Sequence, residues 1–235
     1  MNILQQLKYI YNVRERLFEA LEISLIVAFV ACFIGLILGI ICSVIKIMPK
    51  TNAIVKILDK VVDLYVVVIR GTPMLVQLLI MYGVILVSFK SMETNLVVPI
   101  LSFGINSGAY MTEIIRSGIN SVDKGQMEAG RSLGLSWVST MFSIIIPQAI
   151  KVVIPTIFNE IIILVKETSI VSYIVVRVNG RQRWDLLGIA EKLGLAKPEC
   201  YMALIFTVAI CYLIIVLLLT FIQKRIELRL NKNER

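Results

Sequence analysis

The sequence predicts an all-α integral membrane protein of one domain with five transmembrane helices. Two observations carry the prediction. Hydrophobic residues make up 58% of the 235-residue chain, and its mean hydropathy is +0.86. A soluble chain of this length cannot bury so much apolar surface, so the bilayer must act as solvent for much of it. The apolar residues also fall into long uncharged runs separated by short charged segments. The net charge of +8, from 24 Lys and Arg against 16 Asp and Glu, fits the cytoplasmic flanks of such runs, and nucleic-acid binding is not expected.

Residues 1–22 read as an N-terminal amphipathic leader, because Leu4, Leu7, Ile10, Tyr11 and Leu17 recur near helical spacing. The leader is polar, and the run after it is too long for the apolar core of a cleaved signal peptide. Residues 23–45 are uncharged and long enough to span. Lys46, Lys50, Lys56 and Lys60 follow, with Pro49 breaking the helix, and mark a cytoplasmic side. A second span covers 61–89, interrupted by Asp63 and by "RGTP" at 70–73, and a brief turn at 90–93 leads to a third span at 95–115. A charged segment rich in small residues, 119–147, reads as a cytoplasmic loop. A fourth span at 149–165, a polar outer segment at 166–199, a last span at 200–223 and a charged cytoplasmic tail at 224–235 complete the chain. Five crossings put the termini on opposite sides, the N-terminus outside and the C-terminus inside, with a small excess of basic residues inside. Residues 132–150 are also uncharged, but Gly134, Ser136, Ser139, Ser143 and Pro147 make them only moderately apolar. They are assigned to the loop; counting them as a span would give six crossings and put the tail outside.

Several chemistries are not expected. The chain has no histidine, and Cys32, Cys42, Cys200 and Cys211 fall singly in apolar runs without a CxxC. That pattern supports neither a disulfide framework nor a metal site. With no nucleophile elbow and no GxxxxGK[ST] phosphate loop, neither a membrane-embedded enzyme nor an ATPase is expected.

The stretch "KGQMEAGRSLGLSW" carries the sharpest signal. Glu128, Ala129 and Gly130 are followed after three residues by Gly134, and after nine more by "IIIP" at 144–147. This resembles E-A-A-x3-G-x9-I-x-L-P, the cytoplasmic-loop signature of permease subunits in ATP-binding-cassette importers. It departs at Gly130, where the family has a second Ala, and at Ile146, where it has Leu. "VVVIRGTPMLVQLLIMYG" at 66–83 resembles the second-span motif of polar amino-acid permeases, and "NSGAYMTEIIRSGINSVDKGQMEAGRSLGLS" continues the likeness. "NEIIILVKETSIVSYI" at 159–174 is similar to the family's fourth-span segment, with Glu167 where Asp is common. The likeness covers most of residues 20–225 and is weakest over 177–198.

The resemblance implies a type I importer permease of the MetI-like fold in the plasma membrane of a prokaryote. It implies a second permease subunit (a copy of this chain or a related one), an ATPase dimer on the cytoplasmic side and an extracytoplasmic solute-binding protein. No cofactor of its own is implied, since ATP is bound by the ATPase partner. The helix at about 126–137 would couple the two, with Glu128, Ala129, Gly130, Gly134, Leu135, Ile144 and Pro147 in the coupling loop. Small residues there would let the helix enter a groove with close backbone contact. Glu128, near the helix start, would be favoured by the helix dipole and could meet a basic partner, while Pro147 would fix the turn into the next span.

A free amino acid carries both charges, and polar groups inside a membrane are functional candidates by default. Arg70, Thr72, Gln77, Asn106, Ser107, Tyr110, Glu113, Glu160, Lys166, Glu167 and Ser169 are the candidates for the substrate pathway. Asn106, Tyr110 and Glu113 share a helix face, as do Glu160 and Glu167. The plainer readings are that Arg70 pairs with Glu113 and that Lys166 snorkels to the surface. Arg177, Arg181, Arg183 and Trp184 in the outer segment suit acidic groups of a binding protein or lipid headgroups. The competing functions are a permease of this fold for another small solute, and a self-sufficient secondary transporter. The latter fits poorly with five spans, no inverted repeat and a docking helix.

Overall fold

The computed structural model describes residues 2–88, 96–178 and 180–231. The turn expected at 90–93 and the last residues of the tail lie outside them.

The leader divides at Val13. Helix α1 (Ile3–Asn12) ends there, and α2 (Arg14–Ile47) runs without interruption from the leader through the first apolar run. Nothing between Arg14 and Ile23 breaks a helix, and the Glu, Leu and Ala residues there favour one. The second apolar stretch is not one straight span. It is α3 (Ala53–Gly71) and α4 (Met74–Ser88), with α4 up to Ile85 bent from α3 by 108°. Pro73 donates no N–H, and it forces Thr72 into an extended conformation (φ −118°, ψ 145°). The third element is α5 (Val97–Asn120).

Residues 119–147 are mostly helical. Helix α6 (Lys124–Ser132) is followed by α7 (Trp137–Thr140), a π-turn (Met141–Ile145), α8 (Ile146–Glu167) and a 3₁₀ turn (Thr168–Tyr173). From Trp137 to Tyr173 these form one 37-residue helix. The segment 132–150 is therefore neither a loop nor a separate span, since its greater part begins the fourth helix. Pro147 stands in the first turn of α8 and turns no corner. It has no N–H to give Ser143, and the wider π-turn just before it accommodates the loss.

The outer segment holds a short hairpin that the sequence reading did not anticipate. Strand β1 (Val176–Val178) pairs antiparallel with β2 (Arg181–Arg183), with Gly180 at φ +73° in the turn. Helix α9 (Leu186–Ala196) follows, and α10 (Tyr201–Asn231) completes the chain. Among the described residues three helices are long and apolar enough to cross a membrane, and the bent α3–α4 pair is a fourth candidate.

Helix α5 sits in the centre, and small residues let it do so. A Cβ on Gly35 would lie 2.7 Å from the Ser107 Cβ, and one on Gly39 only 2.3 Å from the Met111 Cβ. One turn on, Ser43 Oγ donates to the Thr112 carbonyl at 3.1 Å. Gly35, Gly39 and Ser43 thus form a stripe at four-residue spacing along which α2 and α5 touch backbone to backbone. In lipid, packing of this kind replaces the missing hydrophobic drive for helix association. Tyr65 ties α3 to the same helix by donating to the Ile105 carbonyl at 2.5 Å. A second apolar cluster lies at the Arg14 end of α2, where Leu17 and Ala20 pack on Leu186, Ala190, Leu193 and Leu204. At the Ile47 end, Lys46 bridges Asp59 (2.9 Å) and Asp63 (2.7 Å) of α3, and Lys50 also pairs with Asp59. These two lysines are therefore ion-paired to the next helix as well as flanking the membrane.

Asp185 caps α9, accepting from Leu187 N at 3.0 Å and Gly188 N at 3.3 Å. Burial pushes its carboxyl up to about 7, against the pull of those backbone N–H groups. The folded chain thus holds this proton more tightly than the unfolded chain, where Asp titrates near about 3.9. The site's contribution to stability is present at low pH and is lost as pH rises towards about 7. Asp185→Asn keeps the cap and removes the titration. In thermal melts of the purified protein the variant should gain on wild type as pH rises from about 4 to 7, whereas parallel profiles would contradict this assignment.

Candidate functional site

The candidate coupling loop is built from local signals. Asp123 caps α6 by accepting from Gly125 N at 2.6 Å. The far end closes with a Schellman motif: Gly134 N donates to Arg131 O (3.1 Å), and Leu135 N donates to Gly130 O (3.1 Å). Gly134 stands at φ +84°, a conformation that disfavours any side chain. Helix α6 therefore stops at Ser132 and does not reach Trp137. Gly130 is buried within the chain itself, where a Cβ would lie 2.6 Å from Thr140 Cγ2. The two glycines are thus explained by the fold of this chain, and close approach to a partner is not needed to account for them. Most of α6 is exposed, Glu128 and Ala129 among its residues, and Leu133 at its C-cap is 82% exposed. Leu135 and Ile144 are partly covered, and Pro147 is exposed on the following helix.

The candidate pathway residues fall into three groups. Thr72, Gln77 and Asn106 form one hydrogen-bonded chain at the α3–α4 break. Gln77 Nε2 donates to Ile69 O (2.7 Å), Thr72 O (3.0 Å) and Thr72 Oγ1 (2.8 Å). Gln77 Oε1 accepts from Asn106 Nδ2 at 3.0 Å. One amide side chain thereby occupies the carbonyls that the break frees and joins the broken helix to α5. Arg70, Tyr110 and Glu113 form the second group. The Arg70 guanidinium lies 5.2 Å from the Tyr110 ring centre and 3.7 Å from Glu113, which Arg116 also grips at 2.8 and 3.0 Å. The pairing of Arg70 with Glu113 matches the plainer reading of that residue.

The third group lies along α8. Glu160 is buried and approaches Ser107. The Ser107 hydroxyl is fully enclosed, and the Glu160 carboxyl is the polar group beside it. Glu167 is half-buried at the helix end, and Lys166 is exposed. Ser169 lies in the 3₁₀ turn, its carbonyl accepting from Ser172 Oγ at 2.9 Å. Sequence reasoning missed the Gly35–Gly39–Ser43 stripe, although small residues four apart in an apolar run are a legible signal. It also missed the Lys46–Asp59–Asp63 pairs, which link helices separated by a turn.

Comparison with known proteins agrees with this architecture. The model of the family described as "binding-protein-dependent transport system inner membrane component" matches residues 35–232. The L-cystine transport system permease protein of Bacillus subtilis is 38% identical over 172 residues, which cover 73% of this chain and 70% of that protein. The arginine transport system permease protein of the same organism is 36% identical over 174 residues, 74% of this chain and 76% of that protein. A crystal structure of an amino acid ABC transporter with histidines covers 97% of this chain and 99% of its own, at 34% identity and a TM-score of 0.83. The inward-facing MetNI methionine ABC transporter, 16% identical with a TM-score of 0.72, shares the fold. On the strength of the matched length and the shared helix arrangement, this chain belongs to the family of inner-membrane components of binding-protein-dependent transport systems.

Proposed function

We propose that the chain is the permease subunit of an ATP-binding-cassette importer that carries a polar amino acid across the plasma membrane of a prokaryote. The observation that carries this reading is α6: a short helix fixed at both ends by its caps, seated on Thr140 through Gly130, and presenting Glu128, Ala129 and Leu133 outward. That is the form of a knob for another protein, and it stands at the Ile47 end of α2. The amino-acid cargo rests on the relatives, whose names include cystine and arginine permeases.

In this reading the membrane is crossed five times, by α2, the bent α3–α4 pair, α5, α7–α8 and α10, with the N-terminus outside and the C-terminus inside. An ATPase dimer binds ATP and docks on α6, and an extracytoplasmic binding protein delivers the amino acid. A second permease chain completes the pathway. The buried Glu160 and the Ser107 hydroxyl beside it offer an acceptor and a donor to a substrate ammonium and carboxylate, while Glu113 is already held by Arg116, with Arg70 3.7 Å away.

Glu128→Lys tests the coupling. Glu128 is exposed and the substitution leaves the caps of α6 intact, so the protein should insert normally. Co-purification of an ATPase and amino-acid uptake should both be lost. Uptake and ATP hydrolysis at wild-type levels would sink the docking assignment.

A further inference from the structure

Among the described residues, one side of α1 has no neighbour. Ile3, Leu4, Leu7 and Tyr11 are 71%, 74%, 57% and 63% exposed, and their spacing of three and four puts them on one stripe. A second stripe faces the bundle. Its Tyr9, Ile10 and Val13 pack on the cluster that includes Leu17 and Leu193, and Gln6 Nε2 donates to the Glu199 carbonyl at 2.9 Å. Lys197 Nζ sits 4.7 Å from the centre of the Tyr9 ring. Gln5, Lys8 and Asn12 make a third stripe, polar and exposed. On a helical wheel the three stripes stand roughly a third of a turn apart. Packing therefore fixes the roll of α1 and holds its apolar stripe sideways, with the polar stripe on the other flank.

The level of the helix is fixed as well. Glu199, which holds Gln6, lies in the 3₁₀ turn (Pro198–Cys200) that leads into α10, whose first outward residues are the exposed Tyr201, Met202 and Phe206. On α2 the first large outward residue after the junction is Phe18, 67% exposed. Helix α1 thus lies where two apolar helices begin. Arg14 closes the stripe, donating to the Tyr11 carbonyl at 2.9 Å with its guanidinium 4.1 Å from the ring centre.

We propose that α1 lies flat in the water–bilayer interface at the end of the bundle opposite α6, with Ile3, Leu4, Leu7 and Tyr11 among the acyl chains. Amphipathic helices bind lipid in this way, and tyrosine and arginine suit the headgroup level. The bilayer fits better than a soluble protein, because α1 stands at the level where the exposed apolar residues of α2 and α10, from Phe18 and Tyr201 onward, begin, whereas a partner arriving from water would meet the polar stripe with Lys8. The inference rests on the membrane placement proposed above and not on the cargo.

The test places a benzophenone amino acid at Leu7, at Asn12 or at Ile37 of the full chain. Each protein is reconstituted in vesicles of phosphatidylethanolamine and phosphatidylglycerol, illuminated and weighed by mass spectrometry. All three side chains are exposed, so the fold is retained. The expected result is a phospholipid adduct at Leu7 and at Ile37, in the middle of α2, and none at Asn12. An adduct at Ile37 without one at Leu7, or equal adducts at Leu7 and Asn12, overturns the proposal and leaves the membrane placement standing. No adduct at Ile37 overturns that placement and the proposal with it. A Leu7 adduct that passes from lipid to an added solute-binding protein also overturns the proposal and makes the stripe a protein-docking site.

Discussion

Replacing Gly39 with leucine should leave almost no folded protein in the membrane. The Cβ alone would stand 2.3 Å from the Met111 Cβ and 3.0 Å from the Met111 carbonyl carbon. The second of these belongs to backbone and cannot rotate away. Inserting bulk into a packed interior typically costs about 1–3 kcal/mol where side chains can adjust. Here α2 and α5 would have to separate, breaking the Ser43 bond to Thr112 as well. The loss should appear as aggregated material on size-exclusion chromatography in mild detergent. Gly83→Ala is the matching control. Among the described residues nothing lies within 4 Å of a Cβ there, so the change should be neutral or stabilise α4 by about 0.5–1 kcal/mol. Equal behaviour of the two variants would show that close approach of α2 and α5 is not what the stripe provides.

Gln77→Leu should fold and still bind its ATPase, yet lose uptake more than tenfold. The substitution keeps a side chain of similar bulk but removes the donors to Ile69 and Thr72 and the acceptor for Asn106. Of the partners Asn106 is buried, and a buried polar group left without a partner costs about 1–3 kcal/mol. The geometry of the 108° break is what that free energy holds in place. Helix α4 should then drift relative to α5, with the pathway residues Thr72 and Asn106 displaced together. Initial uptake rates in vesicles, measured beside ATPase co-purification, separate this outcome from misfolding. Wild-type uptake by the variant would remove Gln77 as the tie between the two helices.

The class of the protein was legible in the sequence, because apolar run length and the motifs that carry the family likeness are properties of the chain alone. Boundaries set by tertiary structure were less so. The edge between leader and first span was placed at residue 22, where polarity changes, but a change of polarity does not break a backbone, and α2 runs through it. Residues 132–150 were weighed by their serines and glycines, whereas from Trp137 onward they propagate a helix that packs against its neighbours. The break at 70–73 was visible in Gly71 and Pro73, but its angle depends on Gln77 and Asn106, one of them on another helix. Gly134 could have been read as a helix terminator from its place after α6. Gly130 could not, since the atom that forbids a side chain there belongs to Thr140. The hairpin at 176–183 gave no signal, because strands of three residues rich in arginine carry no legible alternation.

The unbroken helix from Trp137 to Tyr173 bears on how force travels through the molecule. Its first turn holds Thr140, against which Gly130 of α6 is seated, so α6 packs directly on the start of this helix. Glu160 lies 23 residues further on, about 35 Å along the axis at a rise of about 1.5 Å per residue. The helix is then a lever arm: a tilt of about 5° at the coupling end sweeps Glu160 sideways by about 3 Å over that length. Its pliant points are the π-turn at Met141–Ile145 and Pro155, and stiffening either would change the stroke delivered to the pathway without touching the residues at its two ends.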